Sequence, residues 1–294
     1  MEPLELVKLI PLMQRSGGTA QLKVALIDGP VAMDHPDLSG QNIQQVTGTH
    51  SATCSMASSV ACMHGTFVAG ILSAKRGAGA PAICPACTLL VRPIFPEAAV
   101  ANGDMPSAQP EELASAIVET VNAGARVINL SAALSQPSRK GESQLTEALT
   151  YAARRNVIVV AAAGNQGTVG SSVITRHPWV VPVAGCDLEG KLIPESNLGN
   201  SIGRNGVLAP GKNITSLGTS GNPHTSGGTS AAAPFVTGTI GLLWSEFPSA
   251  SASAIKLAIA GANRPSRRVV APPLLDAWAA YQALGSVSSG RKPS

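Results

Sequence analysis

Short apolar runs alternate with segments of helical periodicity along most of the chain. The runs are Lys23-Val-Ala-Leu-Ile-Asp28, Thr88-Leu-Leu-Val-Arg-Pro-Ile94, Arg126-Val-Ile-Asn-Leu130, Val157-Ile-Val-Val160, Val180-Val-Pro-Val183 and Gly206-Val-Leu-Ala209. Continuous rather than alternating hydrophobicity marks strands buried on both faces. Between them, His64 to Ala74 carries Phe67, Val68, Ile71 and Leu72 on one helical face. Pro110 to Ala123 begins on a proline and stops at Gly124, as helices do. Glu142 to Arg155 is amphipathic, and Thr229 to Phe247 is a helix that opens on small residues. Ser251 to Ala260 and Pro273 to Leu284 complete the set. Strands alternating with helices predict βαβ units with right-handed crossovers. The predicted fold class is therefore α/β: a single-domain, mostly parallel β-sheet flanked by helices.

Composition narrows the function. The 294 residues carry 21 Lys and Arg against 17 Asp and Glu, a net charge of +4. The basic residues are scattered, apart from a small group at Arg264, Arg267 and Arg268. Nucleic-acid binding needs a clustered basic face and is not expected. Hydrophobic residues make up 44% of the chain, enough for a large core and against disorder. The longest apolar runs fall far short of the roughly 20 residues of a membrane span, so no membrane partner is expected. With three Trp, two Tyr and four Phe, the core must be aliphatic.

Residues 1–20 are read as an N-terminal extension, 21–284 as the main domain and 285–294 as a flexible tail or linker. The opening MEPLELVKLIPLMQ holds Glu2 and Glu5 and no uninterrupted apolar stretch, which makes a poor secretory signal. A cytoplasmic location is expected, with secretion as the alternative. The five cysteines are Cys54, Cys62, Cys84, Cys87 and Cys186. The first four form two close pairs. Disulfides within each pair and plain buried thiols are both open, while Cys186 should be free and buried. The seven-residue spacer of the first pair does not suit a zinc knuckle. Acidic residues such as Asp34, Asp37, Glu97, Asp104, Asp187 and Glu189 are too scattered for a calcium loop. No metal and no cofactor are expected.

In parallel sheets function collects at the carboxyl ends of strands. Asp28 ends the first strand, and Asn165 follows the Val157 strand. His64 and Ser230 each open a predicted helix. Singly these are ordinary: a turn aspartate, a helix-start histidine, a glycine–asparagine turn, a helix cap. Jointly they are not. Five blocks occur in one order: Ala25-Leu-Ile-Asp-Gly-Pro-Val31 with His35-Pro-Asp-Leu38 downstream, His64-Gly-Thr-Phe-Val-Ala-Gly-Ile71, Val127-Ile-Asn-Leu-Ser131, Ala162-Ala-Gly-Asn165, and Gly228-Thr-Ser-Ala-Ala-Ala-Pro-Phe-Val-Thr-Gly238.

This pattern resembles the subtilisin-like serine protease family over roughly residues 20 to 260. The resemblance implies a serine endopeptidase with the triad order Asp28, His64, Ser230. It implies Asn165 as the side-chain oxyanion donor, assisted by the Ser230 backbone N–H. It implies substrate binding along Ser131, Ala132 and Ala133, with Ala162, Ala163 and Gly164 as the facing wall of the first specificity pocket. Ala133 stands where the family usually has glycine, so a narrowed pocket entrance is expected.

Other positions depart from the family. Gly29-Pro30 follows the aspartate where Ser or Thr is usual, Phe67 stands where a second histidine is frequent, and Ala231 and Phe235 replace a Met and a His. None of these changes removes a catalytic group. The Asp-Gly-Pro-Val start, the cysteine-bearing stretch before His64 and the Leu90-Val-Arg-Pro-Ile-Phe95 segment look like the leader-peptide proteases of cyanobactin biosynthesis. That likeness implies a precursor peptide as substrate. Only about 20 residues precede the first strand, so an intracellular protease that folds without a large pro-segment is expected, as is a monomer. A general degradative or secreted subtilase is the alternative in the same chemistry, and a non-catalytic peptide-binding module the alternative in another class. His64 excludes the acid branch of the fold, which has Glu at that position.

Overall fold

The computed structural model describes residues 1–97, 108–131, 141–261 and 270–289. Nine strands are described: β1 (Lys23–Asp28), β2 (Ile43–Gln45), β3 (Thr88–Pro93), β4 (Val127–Leu130), β5 (Ile158–Ala162), β6 (Val180–Cys186), β7 (Val207–Pro210), β8 (Ile214–Leu217) and β9 (Pro223–Ser226). The helices are α1 (Pro3–Leu6), α2 (Ile10–Arg15), α3 (Val60–Ser73), α4 (Pro110–Asn122), α5 (Glu142–Arg154), α6 (Val173–Arg176), α7 (Asn200–Asn205), α8 (Thr229–Glu246), α9 (Ala252–Ala260) and α10 (Ala277–Ser289).

β1 to β7 form one sheet in the order β2-β3-β1-β4-β5-β6-β7, and every pairing in it is parallel. β8 and β9 form a separate antiparallel hairpin. The two-residue period of a strand divides β1 between two cores. Val24 and Leu26 enter the core shared with α3, α8, α9 and α10, while Ala25 and Ile27 enter the core under α4 and α5. Asp28 continues the first set and so points to the α3 and α8 side. β4 behaves alike: Val127 joins the α8 core and Ile128 and Leu130 the opposite one. Asn129 and Ser131 therefore face α8.

The chain leaves β1 toward one edge of the sheet and, after β3, returns to build the other edge from β4. The switch in direction lies between β1 and β4, where open α/β sheets leave a crevice outside the strand ends. α8 is the central helix, packed on β4, β5, β6, β7 and α3 and buried from Thr229 to Trp244. A helix enclosed on all sides has no polar face to keep, which accounts for its run of Ala, Val, Ile, Leu and Gly. Among the described residues no helix is long and apolar enough to cross a membrane.

Three expectations change here. Residues 1–20 are not an appendage: Val7, Leu9 and Leu12 are fully buried in the main core, and α2 packs on α10. α3 begins one turn earlier than the periodicity indicated, because Ser59 caps it by accepting a hydrogen bond from the Cys62 N–H. α10 starts at Ala277 and continues past 284 to Ser289. The arginine group at 264, 267 and 268 lies outside the described residues.

Candidate active site

Asp28 is completely buried at the carboxyl end of β1. Its Oδ1 accepts hydrogen bonds from the Gly29 N–H at 2.7 Å and from His64 Nδ1 at 2.6 Å. A carboxylate can only accept, so the proton of the second bond sits on Nδ1 and the free imidazole tautomer leaves Nε2 as the base. Burial lowers the His64 pKa, but the Asp28 charge and hydrogen bond outweigh it, and the net shift is upward.

The approach of α3 to β1 depends on Gly29. A Cβ at Gly29 would lie 1.9 Å from the Ala61 carbonyl oxygen, and one at Gly65 would lie 2.3 Å from the Pro30 carbonyl oxygen. Two backbones meet without side chains between them, which brings the histidine to the carboxylate. The departure from Ser or Thr at position 29 thus has a steric cause. It also has a cost. Asp28 Oδ2 is buried without a hydrogen-bond partner, and no hydroxyl at position 29 is there to serve it.

The first turn of α3 is fastened by a disulfide between Cys54 and Cys62, and Cys62 lies two residues before His64. For the second pair, of the two readings left open, the structure has free thiols. Cys84 and Cys87 are separate buried thiols, as is Cys186. Both sulfurs lie against Gly241 of α8, at 3.5 and 3.6 Å from where its Cβ would stand, in the main core. Among the described residues, Cys54, Cys62 and Glu97 are the one grouping tight enough to ligate a metal. Its sulfurs are bonded to each other, and the Glu97 carboxylate already accepts from the Ser55 N–H, the Ser55 hydroxyl and the Met56 N–H.

Ser230 is the second residue of α8 and almost fully buried. Its N–H belongs to the helical first turn, whose amides lack intrahelical partners and carry the positive end of the dipole. Among the described residues its hydroxyl makes no hydrogen bond to His64. Bonds between nucleophile and base are often long until substrate closes the site.

Asn165 lies beyond the end of β5, after Gly164 at φ +104°, a conformation that L side chains rarely adopt. Its Oδ1 accepts from the Thr229 N–H at 2.8 Å and the Thr229 hydroxyl at 2.9 Å. The Thr229 hydroxyl in turn accepts from the Gly164 N–H at 3.1 Å. With its oxygen held twice, Asn165 has only its amide N–H groups left to present. Thr229 is a support that the sequence does not single out, because its role depends on Asn165, 64 residues away.

Of the expected substrate-binding residues, Ser131, Ala162, Ala163 and Gly164 are all buried at the sheet's carboxyl edge. The Ser131 hydroxyl accepts from Asn129 Nδ2 at 2.6 Å, and Asn129 Oδ1 accepts from Thr237 of α8 at 2.8 Å. The wall at 163–164 is braced by Asn197, whose N–H bonds the Gly164 carbonyl at 2.9 Å. Asn129, Thr237 and Asn197 are supports the sequence does not single out. Ala132 and Ala133 lie outside the described residues. Phe67, in the place of a second histidine, is buried and meets the edge of the His224 ring from β9.

An aspartate, a histidine and a helix-start serine in that chain order, along one edge of a parallel sheet, define a serine-peptidase scaffold. The profile of the Subtilase family matches residues 19–269, and the chain belongs to that family. It is 32% identical over 231 residues to the thermophilic serine proteinase of Bacillus sp. (strain AK1), covering 78% of this chain and 53% of that one. It is 30% identical over 237 residues to thermitase of Thermoactinomyces vulgaris, covering 78% and 77%. The chain spans about half the length of the first of these. Among solved structures, a mutant of the protease domain of PatA superposes with TM-score 0.82 at 29% identity, covering 92% of this chain and 97% of that one. The prenylagaramide maturation protease PagA gives 0.80 at 27%, covering 94% and 98%.

Proposed function

We propose that this chain is a serine endopeptidase that removes the leader from a ribosomally made precursor peptide. The observation that carries the catalytic part is the Asp28–His64 pair at 2.6 Å, together with an Asn165 whose oxygen is doubly anchored to Thr229, the residue before Ser230. In this reading His64 Nε2 takes the Ser230 hydroxyl proton as Oγ attacks the scissile carbonyl, and Asp28 stabilises the imidazolium. The oxyanion that forms is met by the Asn165 amide and the Ser230 N–H. His64 then gives its proton to the leaving amine, and water repeats the sequence to release the acyl group. The specificity wall is Ala162, Ala163 and Gly164.

Similarity to two maturation proteases over most of the chain supports the precursor substrate. One observation favours the second reading, a secreted degradative subtilase: the Cys54–Cys62 disulfide belongs to oxidising compartments. Two measurements separate the readings. A fluorophosphonate probe is expected to label the wild type but not Ser230→Ala, and an unlabelled wild type overturns the hydrolase assignment. A synthetic precursor peptide is expected to be cut at one junction by mass spectrometry, with casein left intact. Many cuts in both substrates overturn the processing role.

A further inference from the structure

Past the oxyanion loop lies an open recess of about 680 Å³ between residues 169–171, α6, α7 and Val270. Arg176 and Arg204 both line it. Arg204 forms no ion pair among the described residues, and Arg176 is 3.9 Å from Glu142, at the limit of an ion pair. Ser201 also lines the recess, with its hydroxyl oxygen buried beneath the surface. Asn200 and Asn205 lie beside it, and their side chains make no hydrogen bond among the described residues. Two guanidinium groups and two asparagine amides make a recess of donors suited to an anion.

The rim is apolar. Val169 is 74% exposed and Val270 39% exposed, two of the few large apolar side chains left in solvent. An exposed apolar patch beside unpaired donors marks a binding surface. A free inorganic anion has no use for that rim, whereas an acidic residue next to an apolar one uses both.

The recess is tied to the candidate active site. From Asn165 the chain runs straight into it, held against residues 195–198 by bonds from the Gly167 N–H to the Glu195 carbonyl and from the Gly170 N–H to the Leu198 carbonyl, both 2.8 Å. Asn197 Oδ1 accepts from the Gln166 N–H, the Thr168 N–H and the Thr168 hydroxyl along the same stretch. Val169 and Ser171 stand four and six residues beyond Asn165, so the path is at most about 13 to 20 Å. An extended peptide covers that in about four to six residues.

We propose that this recess is an exosite for the substrate peptide, taking an acidic side chain with an apolar neighbour about five residues from the scissile bond. The proposal rests on the endopeptidase reading for its substrate, but its binding chemistry can be tested without catalysis. The probe is a fluorescein-labelled ten-residue peptide with two glutamates flanking a leucine, together with its glutamine counterpart. Both are titrated by fluorescence anisotropy into full-length Ser230→Ala protein at low salt. The acidic peptide is expected to bind at least tenfold tighter. Adding Arg176→Gln and Arg204→Gln is expected to bring the ratio to about one, and Arg176→Glu with Arg204→Glu to invert preference toward a lysine-containing peptide. Thermal melting checks that each variant folds, and a misfolded pair is replaced by Val169→Ser, which is expected to weaken binding of both peptides alike. No preference for the acidic peptide, or a preference that survives the arginine changes, overturns the exosite. Failure of fluorophosphonate labelling alongside an intact acidic preference overturns the peptidase reading and leaves the exosite standing.

Discussion

Ser131 donates its hydroxyl proton to the Ser230 carbonyl oxygen across 3.4 Å, joining the end of β4 to the first turn of α8. In an uninterrupted helix that carbonyl would accept from the N–H four residues on. That residue is Pro234, which has no N–H. The proline therefore frees the carbonyl and Ser131 takes it, held by the buried Asn129 and Thr237 pair. Ser131→Ala is expected to leave a buried acceptor unpaired, at about 1 to 2 kcal/mol of stability. Urea denaturation checks the loss, and an unchanged midpoint shows the bond to be idle.

Ser230 and His64 are expected to behave as one unit. Ser230→Ala should abolish turnover and keep the melting temperature, and adding His64→Ala should cost little more, because one disabled member already removes the shared step. The measurement is kcat for both single variants and the double variant on a purified peptide. Losses that multiply would separate the two residues.

Asn165→Ala is expected to lower kcat about 100 to 1000-fold, the usual worth of one oxyanion donor, with little change in KM. Thr229→Val removes one of the two bonds that aim Asn165. It is expected to lower kcat by a smaller factor on its own and by none in the Asn165→Ala background. A Thr229 effect that persists without Asn165 would mean that the threonine acts by another route.

The upward shift of His64 fixes the sign of two pH effects. Catalysis needs the neutral ring, so kcat/KM should rise with pH through a value above the ordinary histidine pKa of about 6.5. Stability runs the opposite way. A raised folded pKa favours the charged form, so this contribution is complete below about pH 6.5 and is lost as pH rises through the folded pKa. Asp28→Asn removes the charge that raises the pKa. It is expected to move the acid limb of the profile to lower pH and to cost about 10,000-fold in kcat. An acid limb that stays in place would detach the two residues.

Three thiols should react in denatured, unreduced protein: Cys84, Cys87 and Cys186. The Cys186 thiol, pushed up to about 12 by burial and then by Asp187, should be inert in the native state. Replacing Cys54 and Cys62 together by serine opens a short loop and is expected to cost about 2 to 3 kcal/mol. Thiol titration and thermal melting check both statements. A count of one or of five would contradict the pairing.

The parallel sheet was legible because its strands are continuous apolar runs, a signal that needs no partner to interpret. The positions of Asp28 and Asn165 at strand ends and Ser230 at a helix start were legible with it, whereas His64 lies one turn inside α3 rather than at its start. The missed features depend on partners distant in sequence. Val7, Leu9 and Leu12 sit in or beside two short helices with too few turns to show periodicity, and their burial comes from the main core. The hairpin of β8 and β9 is half polar and reads as loop. Thr229, Asn197 and Thr237 are polar residues whose purpose appears only when the atoms they hold are known. The Cys84 and Cys87 spacing is compatible with either a bridge or packed thiols, and nothing local in the sequence distinguishes them.

The burial of α8 among four strands also bears on how the protein survives its own synthesis. Asp28 and His64 emerge early from the ribosome, whereas Ser230 arrives only when α8 does, and α8 has nowhere to dock until β4 to β7 are in place. A nascent chain therefore carries no working nucleophile, and domains of this kind settle as units rather than piecemeal. Proteolytic competence becomes a late readout of completed folding, and half-made copies are unarmed against their neighbours.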